Sequence, residues 1–267
     1  MIELDGITHE FAGHVRAVDD VTLKLDAGQV LCLVGESGSG KTTTARIAAG
    51  LTKPTGGVVR FEGADVQQLH GPGFTKFRRA VQYVHQDPYA SLNPVRDVFG
   101  TISAPLRRHG LVRGRAEARR RAGELLTQVD LTPPEHYLTK FPHQLSGGQR
   151  QRVAVARALT LGPRLIIADE ATSMLDVSIR ISLLNMLKRL RTDLGVGFLF
   201  ITHDLAIAKY FGWEGNTAVM HRGKVVEFGP TPSVIGQPQH DYTRALLAAI
   251  PEPDPDLSRR KRAKVAL

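Results

Sequence analysis

Gly35-Glu36-Ser37-Gly38-Ser39-Gly40-Lys41-Thr42 fits the pattern G-x-x-x-x-G-K-[ST] and stands between the apolar run Val30–Val34 and the helix-like stretch Lys41–Ala49. Glycines at this spacing let successive backbone N–H groups turn inward around phosphate oxygens, and the helix start that follows adds the positive end of its dipole. Lys41 can then reach the β- and γ-phosphates, and the Thr42 hydroxyl can ligate Mg²⁺, with Thr43 next in the binding set. That chemistry is the binding of a nucleoside triphosphate with Mg²⁺. Chance would produce the pattern in about one chain in a hundred, and the flanking strand and helix lower that figure.

Two further segments extend the chemistry. Leu165-Ile166-Ile167-Ala168-Asp169-Glu170 is an apolar strand ending in two acids. In phosphoryl transfer one carboxylate at a strand tip holds Mg²⁺ and a second orients the attacking water, which assigns Asp169 to the metal and Glu170 to the water. Taken alone, such a strand end is usually only structural. Leu145-Ser146-Gly147-Gly148-Gln149 is more specific, since chance gives that pentapeptide in well under about one chain in a thousand. It precedes the helical-looking Arg150–Leu161, so the Ser146 hydroxyl and the glycine N–H groups form a second anion-binding helix start.

With His203 following another strand, these motifs make the chain resemble the nucleotide-binding domain of ABC ATPases over essentially the whole domain. The resemblance implies an enzyme that hydrolyses ATP to drive transport across a membrane. It implies that Gln86, in Tyr83-Val84-His85-Gln86-Asp87, contacts Mg²⁺ and senses membrane subunits, that His203 contacts the γ-phosphate, and that Asp176 lies in the loop joining two halves. Phe11 would stack on adenine; by residue type alone it reads equally as core, and His203 as a polar loop residue. Two such domains pair head to tail, so that Gly35–Thr42 of one and Leu145–Gln149 of the other clamp one ATP. The second subunit is another copy or a sibling.

Gln86–Pro94 and His240–Pro251 resemble the oligopeptide, dipeptide and nickel import branch. That branch implies two transmembrane permease subunits, an extracytoplasmic solute-binding protein and a peripheral place on the cytoplasmic face of the membrane. The sequence departs from the family pattern at Ala171, normally Pro, and Met174, normally Ala. Neither change removes a catalytic group, and Met174 is expected to alter packing at the dimer seam. The cysteine cluster of some members is missing.

Positioning these groups takes strands alternating with helices, hence an α/β fold: a P-loop NTPase with a mainly parallel core sheet, an N-terminal antiparallel β part and an inserted helical subdomain. The expected division is an ATPase domain over 1–235, with the helical subdomain at about 94–160, then an extension over 236–267 that ends in a flexible, basic tail. A length of 267 residues, 42% hydrophobic and 23% charged, suits a folded protein. No apolar run approaches the roughly 18 residues needed to cross a bilayer. The acidic start MIELDGITHEF lacks a leader pattern, which places the chain in the cytosol. A single cysteine, Cys32, excludes an internal disulfide and reads as a buried small side chain. The net charge of +9 raises the alternative of a soluble ABC ATPase acting on nucleic acid or ribosomes. Against it, the excess lies in Arg107–Arg121, on an exposed helix, and in Arg259–Lys264, and no long coiled-coil insertion or tandem domain is present.

Overall fold

Alternation governs the first strands. In β1 (Ile2–Phe11) Ile2, Leu4, Ile7 and His9 are buried, and in β2 (Val15–Leu25) Val18, Val21, Leu23 and Leu25 are, the pattern of a sheet with one covered face. The computed structural model describes residues 1–13 and 15–249. The chain continues through β3 (Val30–Val34), α1 (Lys41–Ala48), β4 (Gly56–Phe61), β5 (Ala64–Asp65), α2 (Gly71–Ala80), β6 (Val81–Val84) and α3 (Pro88–Ser91). Then come α4 (Val98–Arg108), α5 (Arg115–Gln128), α6 (Glu135–Leu138), α7 (Gly147–Leu159), β7 (Leu165–Asp169) and α8 (Val177–Leu194). The last described elements are β8 (Gly197–Thr202), α9 (Leu205–Gly212), β9 (Asn216–His221), β10 (Lys224–Pro230), α10 (Thr231–Gly236) and α11 (Asp241–Ala248). The expected tail from Pro251 and the basic run Arg259–Lys264 lie outside the described residues.

The chain divides into two compact units, one comprising Met1–Leu25, Val30–Gln67 and the chain from Leu199, the other Asp26–Gln29 and Gln68–Phe198. In the first unit four strands form the antiparallel order β2-β1-β4-β5. Ile2 lies opposite Leu25 and Phe61, and Leu4 opposite Leu23 and Val59, so apolar cross-strand neighbours gather on one face. β3 pairs in parallel with β9, and β9 turns at Arg222-Gly223 into antiparallel β10. All five residues of β3 are buried, the continuous apolar run of a parallel strand. Cys32 faces Gly212 of α9, where a Cβ would meet its sulfur at 2.4 Å. Burial pushes its thiol up to about 12, so the cysteine is a packing residue.

The second unit pairs β6 and β7 in parallel, from Val81 opposite Leu165 to Val84 opposite Ala168. Around α7, where Arg150–Ala156 are all buried, pack α3, α4, α5 and α8. Arg152 reaches out of this bundle core to the Val129 carbonyl (2.7 Å), Asp130 Oδ2 (2.8 Å) and Ser182 Oγ (2.9 Å), which supplies the partners a buried guanidinium requires. Arg107, Arg108, Arg113, Arg115 and Arg119–Arg121 are exposed, as expected. No helix among the described residues is long and apolar enough to cross a membrane.

Candidate functional site

In the first unit, the loop between β3 and α1 is held in shape by close backbone approach. A Cβ on Gly35 would lie 2.1 Å from the Met220 carbonyl oxygen, and one on Gly40 2.2 Å from that of Ala17. Gly40 has φ 103 at the N-cap of α1, where a side chain would also be strained. No side chain caps this helix, so its opening N–H groups keep their capacity for a ligand. Lys41 is buried, and its ammonium donates to the carbonyls of Gly35 (2.8 Å) and Glu36 (2.7 Å). Phosphate oxygens would compete for that same cation. Ser39 is buried, Gly40 and Thr43 half-buried, and Glu36, Ser37, Gly38 and Thr42 exposed.

Two braces of this loop were not signalled by the motif. The Gly223 N–H in the β9–β10 turn donates to the Ser39 carbonyl (2.9 Å). The Tyr242 hydroxyl on α11 accepts from the Glu36 N–H (3.1 Å). His203 is exposed between β8 and α9, beside Asp204, whose carboxylate caps α9 by accepting from the Ala206 N–H (2.8 Å). Phe11 is 50% exposed and meets His9 edge-on at 4.7 Å, which removes the core alternative for it.

The second unit gathers the acids. Asp169, at the tip of β7, is 4% exposed and accepts from the Tyr83 hydroxyl (2.7 Å) on neighbouring β6. Tyr83 was not among the predicted site residues, although its place three residues before Gln86 made it visible. Glu170 has φ 45, a left-handed backbone that costs a residue with a side chain about 1 kcal/mol or more. Its Oε2 accepts from Gln86 Nε2 (2.9 Å). Gln86, Tyr83, Asp169 and Glu170 thus form one cluster. Because Gln86 donates here through nitrogen, its amide oxygen is the atom suited to a cation.

Ser146 is exposed and caps α7 in a reciprocal box: its Oγ accepts from the Gln149 N–H (3.3 Å) while its own N–H donates to Gln149 Oε1 (3.0 Å). Gly147 lies against Leu175, and a Cβ on Gly148 would press to 2.5 Å from Ile179 Cγ2, so α7 meets α8 across a bare backbone. Asp176 caps α8 by accepting from the Ile179 N–H (3.0 Å). Ala171 is buried and Met174 is 59% exposed.

Hard oxygen donors of the kind Mg²⁺ takes are, in the first unit, the Thr42 hydroxyl and, in the second, the Asp169 carboxylate and the Gln86 amide oxygen. Among the described residues no group of three or more His, Cys, Asp or Glu could hold a metal.

A family model described as ABC transporter matches residues 18–173, more than half of the chain. The chain belongs to the ABC transporter family. Within that ABC match lie the loop at Gly35–Thr42, the Ser146 helix start and the β7 acids; a second model, described as oligopeptide/dipeptide transporter, C-terminal region, matches residues 226–266. Tyr242 falls in that second match. The glutathione import ATP-binding protein of Escherichia coli O6:H1 is 45% identical over 257 residues, 96% of this chain and 40% of that protein. Its counterpart in Pectobacterium atrosepticum is 45% identical over 262 residues, 98% of this chain and 41% of that protein. This chain therefore spans about 40% of the length of the curated relatives it matches.

Among solved ABC structures, the cassette MJ0796, dimeric in a post-hydrolysis state with ADP and Pi, aligns with a TM-score of 0.76 at 32% identity. The alignment covers 86% of this chain and 99% of that one. The protein cbiO1 from Clostridium perfringens, part of the transporter complex cbiONQ, aligns with a TM-score of 0.76 at 26% identity over 88% of this chain and 90% of that one. The α/β fold is that of the P-loop ATP-binding cassette, with parallel and antiparallel strand pairs as expected from the sequence.

Proposed function

We propose that the chain hydrolyses ATP and that hydrolysis powers the import of short peptides or related small solutes. The observation that carries the enzymatic part is the loop wound around the Lys41 ammonium at the uncapped start of α1. Support for the peptide branch comes from the match over residues 226–266.

In this reading Gly35–Thr43 bind the triphosphate, and Lys41 exchanges its two carbonyls for β- and γ-phosphate oxygens. Phe11 stacks on the adenine, and His203 donates to the γ-phosphate. Thr42, Gln86 and Asp169 would hold Mg²⁺, which would supply positive charge to the phosphates. Glu170 orients the attacking water and accepts its proton. Ser146, Gly147, Gly148 and Gln149 close on the nucleotide of a second ATPase subunit, this chain or a sibling, with Asp176 at the seam. The ATPase domain is 1–235, with its helical subdomain at about 94–160, and 236–267 is an extension. Two permeases anchor the subunit to the cytoplasmic face of the membrane, with an extracytoplasmic binding protein delivering the solute.

Glu170→Gln tests the central assignment. The amide keeps the shape but cannot take a proton, so ATP should bind while turnover falls by about a hundredfold or more, with dimers accumulating in ATP. Turnover at the parent rate would sink the assignment of Glu170.

A further inference from the structure

Tyr242 links the last described helix, α11, to the phosphate loop across most of the sequence. Its hydroxyl accepts from the Glu36 N–H at 3.1 Å. Its ring stacks on His221, with centroids 3.9 Å apart and planes at 12°. His221 ends β9 immediately before the Arg222-Gly223 turn, whose Gly223 N–H donates to Ser39 in the same loop. The helix that carries Tyr242 is itself fixed. His240 Nδ1 caps it by accepting from the Tyr242 N–H (3.1 Å), and Glu227 on β10 accepts from the N–H groups of Gln239 (2.9 Å) and His240 (3.1 Å).

Glu36 is therefore gripped at both ends of its backbone. Its N–H donates to Tyr242, and its carbonyl accepts from the Lys41 ammonium at 2.7 Å. When the ammonium moves to a phosphate the second grip is released. The bond to Tyr242 does not depend on that exchange and holds the peptide before nucleotide arrives.

We propose that Tyr242 is a positioning residue for ATP: through the Glu36 peptide it holds the phosphate loop in its binding-competent shape. The inference rests on the proposed ATP reading of that loop. A loop lacking this bond samples more shapes, and apparent affinity falls in proportion to the competent fraction. Once nucleotide is in place, the donors around the phosphates hold the loop themselves, so the chemical step is unaffected. Glu36 is exposed, and water can replace part of the lost bond, which limits the effect to the net value of one hydrogen bond.

The test uses the full chain with Tyr242→Phe, which keeps the ring on His221 and removes only the acceptor. Displacement of a fluorescent ATP analogue gives Kd, steady-state hydrolysis gives KM and kcat, and amide exchange reads the Glu36 N–H directly. Kd and KM should rise about three- to tenfold, with kcat within about twofold and the Glu36 amide exchanging faster by about the same factor as Kd. His221→Ala, which loosens the ring but spares the hydroxyl, should shift Kd in the same direction by less. Unchanged Kd and exchange in Tyr242→Phe would overturn the proposal, as would a loss of kcat at constant Kd. A parent chain that binds ATP without cleaving it would defeat the ATPase reading alone, and the Kd ratio would still decide the role of Tyr242.

Discussion

α1 and α7 both begin at glycine-containing loops, yet their first turns are in opposite states. The start of α1 has no side-chain cap, and a buried lysine is parked on two carbonyls beside it. The start of α7 is closed by its own side chains, Ser146 and Gln149 exchanging hydrogen bonds in both directions. An anion arriving at α1 exchanges with the carbonyls around Lys41 and gains a cation. At α7 it competes with a capping bond whose loss costs about 1 kcal/mol. On the proposed roles, one helix start captures nucleotide and the other joins a nucleotide that is already held. Within the proposed function, that difference separates a primary binding loop from one that completes the site of a second subunit.

The sharpest break is Lys41→Ala, which should weaken ATP binding at least tenfold and cut turnover by about a hundredfold or more. Near-parent affinity in a binding titration would erase the contrast. Ser146→Ala should leave the Kd of the single subunit about unchanged while kcat falls about tenfold. Loss of its cap should also lower stability by about 1 kcal/mol in chemical denaturation; a rise in Kd as large as that of Lys41→Ala would make the two starts equivalent. Mixing the two variants sharpens the comparison further. If this chain forms homodimers, half of randomly formed pairs are mixed and each has one intact composite site, so activity should return to about a quarter of the parent value. Mixed dimers as inactive as either variant would remove the assignment of Lys41 and Ser146 to opposite sides of one ATP.

The sequence made some of this plain and hid the rest for identifiable reasons. The bounds of α8 were readable at both ends because Asp176 supplies a cap and Gly195, at φ 65, a left-handed stop. By contrast α7 starts at Gly147, not at Arg150 as composition suggested, because two glycines read as loop while the S-x-x-Q box that overrides them needs only residues 146 and 149. The helix α2 was invisible: it opens on Gly-Pro-Gly and buries only Phe77 and Ala80, too few for a period. β1 and β2 run longer than their apolar cores, since charged residues face out and register shifts break the alternation. Lys41, Asp169 and Glu170 stand in local motifs and could be named at once. Tyr242 and Glu36 are separated by 206 positions, and no short-range pattern encodes a contact that the folded chain alone creates.

The bond from Gln86 to Glu170 bears on leakage. On the role proposed for Glu170, every acceptor site on its carboxylate taken by an amide is one fewer for a water proton, so the resting cluster opposes spontaneous cleavage of ATP. The segment after Gln86 is pinned to α7, with the Arg150 guanidinium 3.7 Å from the centre of the Tyr89 ring and Arg157 donating to the Ser91 carbonyl at 2.7 Å. Tyr89 is nevertheless 60% exposed, and a membrane partner pressing there would reach the glutamine three residues away. Fuel consumption without cargo would then be slow by default, and the rise in turnover would belong to the docked machine rather than to the chain alone.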